Sequence, residues 1–127
     1  MKMNNKVTLI GNVGKDPEVR HNDNGTIVAR FSLATADSYK NHKGEWVNET
    51  TWHNIVAWGA IAERIERLLQ KGSNITVDGK LLNESWTDRE GVKKSRSVVR
   101  IHEFMTHYGT RKLDQSTQEI DNPDYYR

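Results

Sequence analysis

Between Thr50 and Gly59 the chain reads Thr-Thr-Trp-His-Asn-Ile-Val-Ala-Trp-Gly, and this stretch restricts the fold more than any other. It is rich in β-branched and aromatic residues, and a strand turns alternate side chains to opposite faces. Trp52, Asn54, Val56 and Trp58 then share one face; His53, Ile55 and Ala57 share the other. The Ile55 face is an ordinary core face. Opposite it, two indoles flank a polar Asn54, which leaves two readings. Either the sheet is covered on both sides and the tryptophans are core, or the rings form an exposed platform on which bases can stack.

The rest of the chain supplies partners for such a strand. Val7–Val13 alternates as a first strand, with Gly11 marking a bulge or a close backbone approach. Gly14-Lys15-Asp16-Pro17 closes it as a turn, Glu18–His21 continues extended, and Asn22-Asp23-Asn24-Gly25 is a hairpin signal. Thr26–Ala36 is a second strand with Ile27, Ala29, Phe31 and Leu33 on one face. Asp37–Gly44 is polar and basic and reads as an outward-reaching loop, leading into the third strand, Glu45–Trp58. Ala60–Lys71 is the one convincing helix: Ile61, Ile65, Leu68 and Leu69 form a stripe, and Gly72 is placed to end it. Ser73–Trp86 is a fourth strand, with Ile75, Val77 and Leu81 on one side and Trp86 on the polar side. Thr87–Lys94 is a second exposed hairpin, and Arg96–Phe104 a fifth strand. Strand, strand, strand, helix, strand, strand is the chain order of an all-β fold, the five-stranded OB-fold Greek-key barrel, with its α-helix between strands 3 and 4.

Composition bounds the chemistry. The 127 residues suffice for one domain with its own core, and no run is apolar enough to span a membrane. There is no cysteine, which removes disulfides and thiolate sites and suits a reducing cytoplasm. Net charge is +2 over the chain, but residues 108–127 carry −1 and the remainder +3, a mild basic bias. The five histidines show no zinc-ligand spacing, and neither a phosphate loop nor a nucleophile elbow is present. Asp16, Glu18 and Asp23 are close in sequence, but turns are rich in acids for local hydrogen bonding. No cofactor, no metal and no catalysis are expected. His53, on the core parity, reads as structural or as a subunit contact. Tyr39, Trp52, Trp58 and Trp86 fall on the two hairpins and the strand between them. Lys40, Lys43, Lys71, Lys80, Arg89, Lys93, Lys94 and Arg96 lie nearby, either as solubilising surface charge or as a track for phosphates.

Several segments resemble bacterial single-stranded DNA-binding proteins: Asn5–Arg20, Phe31–Ala36, Thr51-Trp52-His53, Lys71-Gly72-Ser73 and Trp86-Thr87-Asp88, covering about residues 4–104 in the family's order. The resemblance implies an OB-fold domain over 1–107, assembled as a homotetramer, that binds single-stranded DNA without sequence preference. It also implies a place in DNA replication, recombination and repair, in the nucleoid-associated cytoplasm. Base stacking carries over onto Tyr39, Trp52, Trp58 and Trp86, and subunit contact onto His53. Leu82-Asn83-Glu84-Ser85 precede Trp86 where relatives often have basic residues, Asn54 follows His53 in place of an arginine, and Ala60 follows Gly59 in place of a lysine. Fewer cations release fewer counterions, so a shallower salt dependence than in more basic relatives is predicted.

From Tyr108 onward hydrophobic patterning is lost, and residues 108–127 read as a disordered, flexible C-terminal tail. Relatives commonly end in an acidic tip finishing in Pro-Phe that recruits replication and repair proteins. This sequence ends Asp121-Asn122-Pro123-Asp124-Tyr125-Tyr126-Arg127, with acid, proline and aromatics in a different order.

Overall fold

Six strands and one helix follow from this patterning: β1 (Val7–Val13), β2 (Glu18–His21), β3 (Ile27–Lys40), β4 (Trp46–Trp58), α1 (Ala60–Leu68), β5 (Asn74–Thr87) and β6 (Lys93–Thr106). The structure, a computed structural model, describes residues 4–107; the tail expected over 108–127 lies outside them. Five long strands run β1-β5-β6-β4-β3, and β1 returns to β3 through Asn12↔Ala34 and Val13↔Leu33 to close a barrel. The parallel contact of β4 with β6, Ile55↔Val99 and Val56↔Arg100, completes the Greek key. Short β2 adds to the outer edge of β3, from Glu18↔Arg30 to His21↔Ile27. The five-stranded barrel is thus as expected.

Inward positions alternate along each strand, and Leu33, Ile55, Ile75 and Val77 are fully buried with Ile65 of α1. Burying each such side chain contributes roughly 1.5–3 kcal/mol. Closure needs backbones to meet without side chains between them. A Cβ at Gly11 would fall on the Ala34 carbonyl, and one at Gly79 on the Arg100 carbonyl. Neither glycine has a positive φ, so space, not conformation, selects glycine there. Gly79 also ends the pairing of β5 with β1 and sits beside a bulge, where Asp78↔Glu103 is followed by Gly79↔Ile101.

Three expectations change. The polar stretch Asp37–Gly44 is largely strand: β3 and β4 stay in register from Val28↔Trp58 out to Lys40↔Trp46. The ribbon runs beyond the barrel with both faces in water, which is why its sequence lacks an apolar side. Its turn is only Asn41–Glu45, where the Asn41 Oδ1 accepts the Lys43 and Glu45 N–H groups at 2.9 and 3.0 Å. Asp88 caps the β5–β6 turn in the same way, accepting from Glu90 and Val92. Helix α1 ends three residues early, because Leu69 is extended yet still reaches the core at 6% exposure. Gly72 serves a later turn, donating its N–H to the Val13 carbonyl at 2.8 Å. Leu81, expected inside, is exposed, because past Gly79 the β5–β6 hairpin leaves the barrel as an arm.

Candidate nucleic-acid interface

The continuous β3–β4 register decides which side chains share a surface. Trp46, Trp52 and Trp58 lie opposite Lys40, Ala34 and Val28, all on one face of the ribbon. They recur every six residues, about 20 Å apart at strand rise. Their exposures are 65%, 60% and 43%, so these rings are not core. Val56, on the same parity, is buried; the outer surface is therefore wet at the tryptophans and closed between them. Trp52 stays open because its neighbours are small. Ala34 is its cross-strand partner, and its Cζ3 would be 2.5 Å from a Cβ built on Gly14. Gly14→Ala should therefore push the indole off its seat. The expected result is an altered near-UV spectrum, an intact fold and roughly fivefold weaker binding of an oligo-dT, the low end of what one stacked base contributes.

Trp86 stands on the arm, 42% exposed. The Arg96 guanidinium lies over its ring, 5.2 Å from the centroid. Between Trp58 and Trp86 opens a cleft of about 730 Å³, lined also by Arg20, Arg30, Glu84 and Arg96. Glu84 binds Arg30 through two parallel hydrogen bonds of 3.0 and 2.9 Å and accepts from Arg96 Nε at 3.3 Å. Arg30 is on β3 and Glu84 on β5, strands separated in the sheet by β6 and β4. The ion pair thus holds the arm over the outer face. The Arg30 hydrogen bonds, the largest effect, and then the charges of both arginines hold the Glu84 carboxyl below the usual carboxylate range. It is ionised at neutral pH.

The expected cations are scattered along this surface. Lys40 lies 5.7 Å from the Trp46 ring centroid, and Lys43 is in the ribbon's turn. Lys80 and Arg100 line a smaller hollow against Trp58. Lys94 pairs with Asp88 at 3.5 Å, beside Lys93 and Arg89 at the end of the arm. Lys71 does not line the cleft; its backbone N–H donates to the Asp16 carboxylate at 2.8 Å. Tyr39 is exposed, but it pairs with Val47 and so occupies the ribbon face opposite Trp46 and Trp52. His53 Nε2 is 3.0 Å from Thr35 Oγ1, in the wall of a separate groove with Thr8, Ile10 and His107. Among the described residues no group of three His, Asp or Glu is placed to hold a metal ion.

The sequence model of the single-strand binding protein family matches residues 4–106. The chain belongs to that family. Among solved structures, a Plasmodium falciparum member in complex with single-stranded DNA resembles it with a TM-score of 0.76. That protein is 29% identical, over 84% of this chain and 97% of its own. In this family member, sequence reasoning passed over five residues of the candidate site: Arg20, Arg30, Trp46, Glu84 and Arg100. Trp46 carried a usable signal, its six-residue spacing from Trp52. Arg30 and Glu84 carried none, being 54 positions apart with no local pattern linking them.

Proposed function

We propose that this protein binds single-stranded DNA with little sequence preference and protects exposed strands during replication, recombination and repair. The observation that carries this reading is the set of open indoles, Trp46, Trp52, Trp58 and Trp86, on one outward surface bordered by lysines and arginines. Every base has a π-face, so stacking tolerates sequence and contributes about 1–3 kcal/mol per base. Arg20, Arg96, Arg100, Lys80, Lys40 and Lys43, with Lys93, Lys94 and Arg89 on the arm, follow the phosphates. Tyr39 takes a base where the strand passes round the ribbon. Duplex DNA keeps its bases stacked on each other and offers the rings nothing. The family match and the DNA-bound Plasmodium relative support the same reading.

Self-association, as a homotetramer, belongs to this proposal. β1 pairs with β5 along Val7–Asn12 but meets β3 only at Asn12 and Val13, so the side of Val7–Gly11 turned away from β5 has no strand partner among the described residues. Ile10 is 63% exposed beside it, and His53 lines the same groove. A free edge next to apolar surface favours pairing with another copy. Residues 1–107 are then the binding and assembly unit, and 108–127 the segment offered to replication and repair proteins in the nucleoid.

Competition among dT, rU and duplex oligonucleotides of equal length, with protein mass measured by light scattering, tests this reading. Preference for dT by a particle larger than one chain is expected. Preference for rU, or indifference between single strand and duplex, would overturn it.

A further inference from the structure

We infer that Glu84 acts as a built-in counterion in the DNA-binding cleft, holding Arg30 and Arg96 in the place a phosphate would take and limiting how strongly binding responds to salt. The inference deepens the proposed binding of single strands and rests on it. A carboxylate offers a guanidinium fork the same pair of oxygens as a phosphate does. Here both Glu84 oxygens engage Arg30, and Oε1 also accepts from Arg96. The three groups lie on the floor between Trp58 and Trp86, where a strand stacked on both rings would run its backbone. They are only partly covered: 28% of the Glu84 side chain and 41% and 44% of the two arginines are exposed. A phosphate arriving there meets a cluster of net charge +1 rather than +2.

Charge counting makes the consequence measurable. On single strands the slope of log affinity against log salt is roughly −0.7 per phosphate neutralised. One net charge restored by Glu84→Gln should steepen the slope by about 0.7, and two restored by Glu84→Lys by about 1.4. Over a sixfold fall in salt, the glutamine variant should gain roughly threefold on the parent and the lysine variant roughly tenfold. The same carboxylate also ties the arm to the barrel, so the alternative is a purely structural role. That role predicts the opposite sign, with weaker binding at every salt concentration once the tie is cut.

The experiment is a salt series of oligo-dT titrations on the full chain, with the parent, Glu84→Gln, Glu84→Lys and Glu66→Gln. Glu66 is on α1, paired with His21, and its variant controls for removing any one acid. Stepwise steepening at position 84, with Glu66→Gln matching the parent, is the expected result. A Glu84→Gln slope equal to the parent's, or uniformly weaker binding, would overturn the inference and leave single-strand binding standing. A parent that does not bind oligo-dT would instead remove the reading beneath it.

Discussion

Replacing Trp58 and Trp86 together with alanine will weaken binding of a short oligo-dT at least about 30-fold while leaving the barrel folded. Each ring contributes about 1–3 kcal/mol when a base stacks on it, and 2 kcal/mol is about a factor of 30 at room temperature. The two face one cleft, so a strand too short to reach Trp52 and Trp46 has few other rings to use. Both are more than 40% exposed, and neither belongs to the main core cluster. Their loss should therefore cost little stability, and circular dichroism with a melting curve separates lost binding from lost fold. Affinity within a factor of two of the parent would mean that bases do not stack in this cleft.

A second large effect is expected far from any ring. Gly79→Val should lower the melting temperature by on the order of 10 °C, because a side chain at Gly79 has nowhere to go. Its Cβ would lie on the Arg100 carbonyl and close to the Ile101 Cα, both backbone atoms in a paired strand. Relief requires β5 and β6 to part where the arm leaves the barrel. Overpacking of this kind costs about 3 kcal/mol at the upper end of its usual range. The same movement should displace Trp86 and Glu84, which ride on β5 beyond that point, so oligo-dT affinity should fall with stability. An unchanged melting temperature would show that the strands have room at Gly79 and that the packing described for this junction is wrong.

These two variants mark what the sequence makes legible and what it does not. The barrel was readable because inward positions such as Ile55 and Val77 must alternate, and because one helical stripe interrupts the strands. The outward tryptophans were readable as anomalies, since an indole on a polar parity has no place in a simple core. In sequence the ribbon reads as a loop because Asp37–Lys40 gain hydrogen bonds from pairing but bury little, and patterning reports burial rather than pairing. The facing of Tyr39 follows from alternation along β3, where it shares the parity of Phe31 and Leu33, and is legible only once Asp37–Lys40 is known to continue the strand. The Arg30–Glu84 tie joins strands with two others between them in the sheet and exists only once the arm has folded over. Close approaches such as that of Gly79 to Arg100 depend likewise on the closed barrel, where a lone glycine in a strand says only that something comes near.

The most direct test of the central claim is quenching of intrinsic tryptophan fluorescence during titration with oligo-dT and, in parallel, with a duplex of equal length. Four tryptophans, all on the outward surface, make the emission report on the proposed interface itself. Saturable quenching by the single strand, tighter than any response to duplex and largely lost in the Trp58→Ala, Trp86→Ala double variant, is the predicted result. No quenching, or equal affinity for duplex, would contradict it.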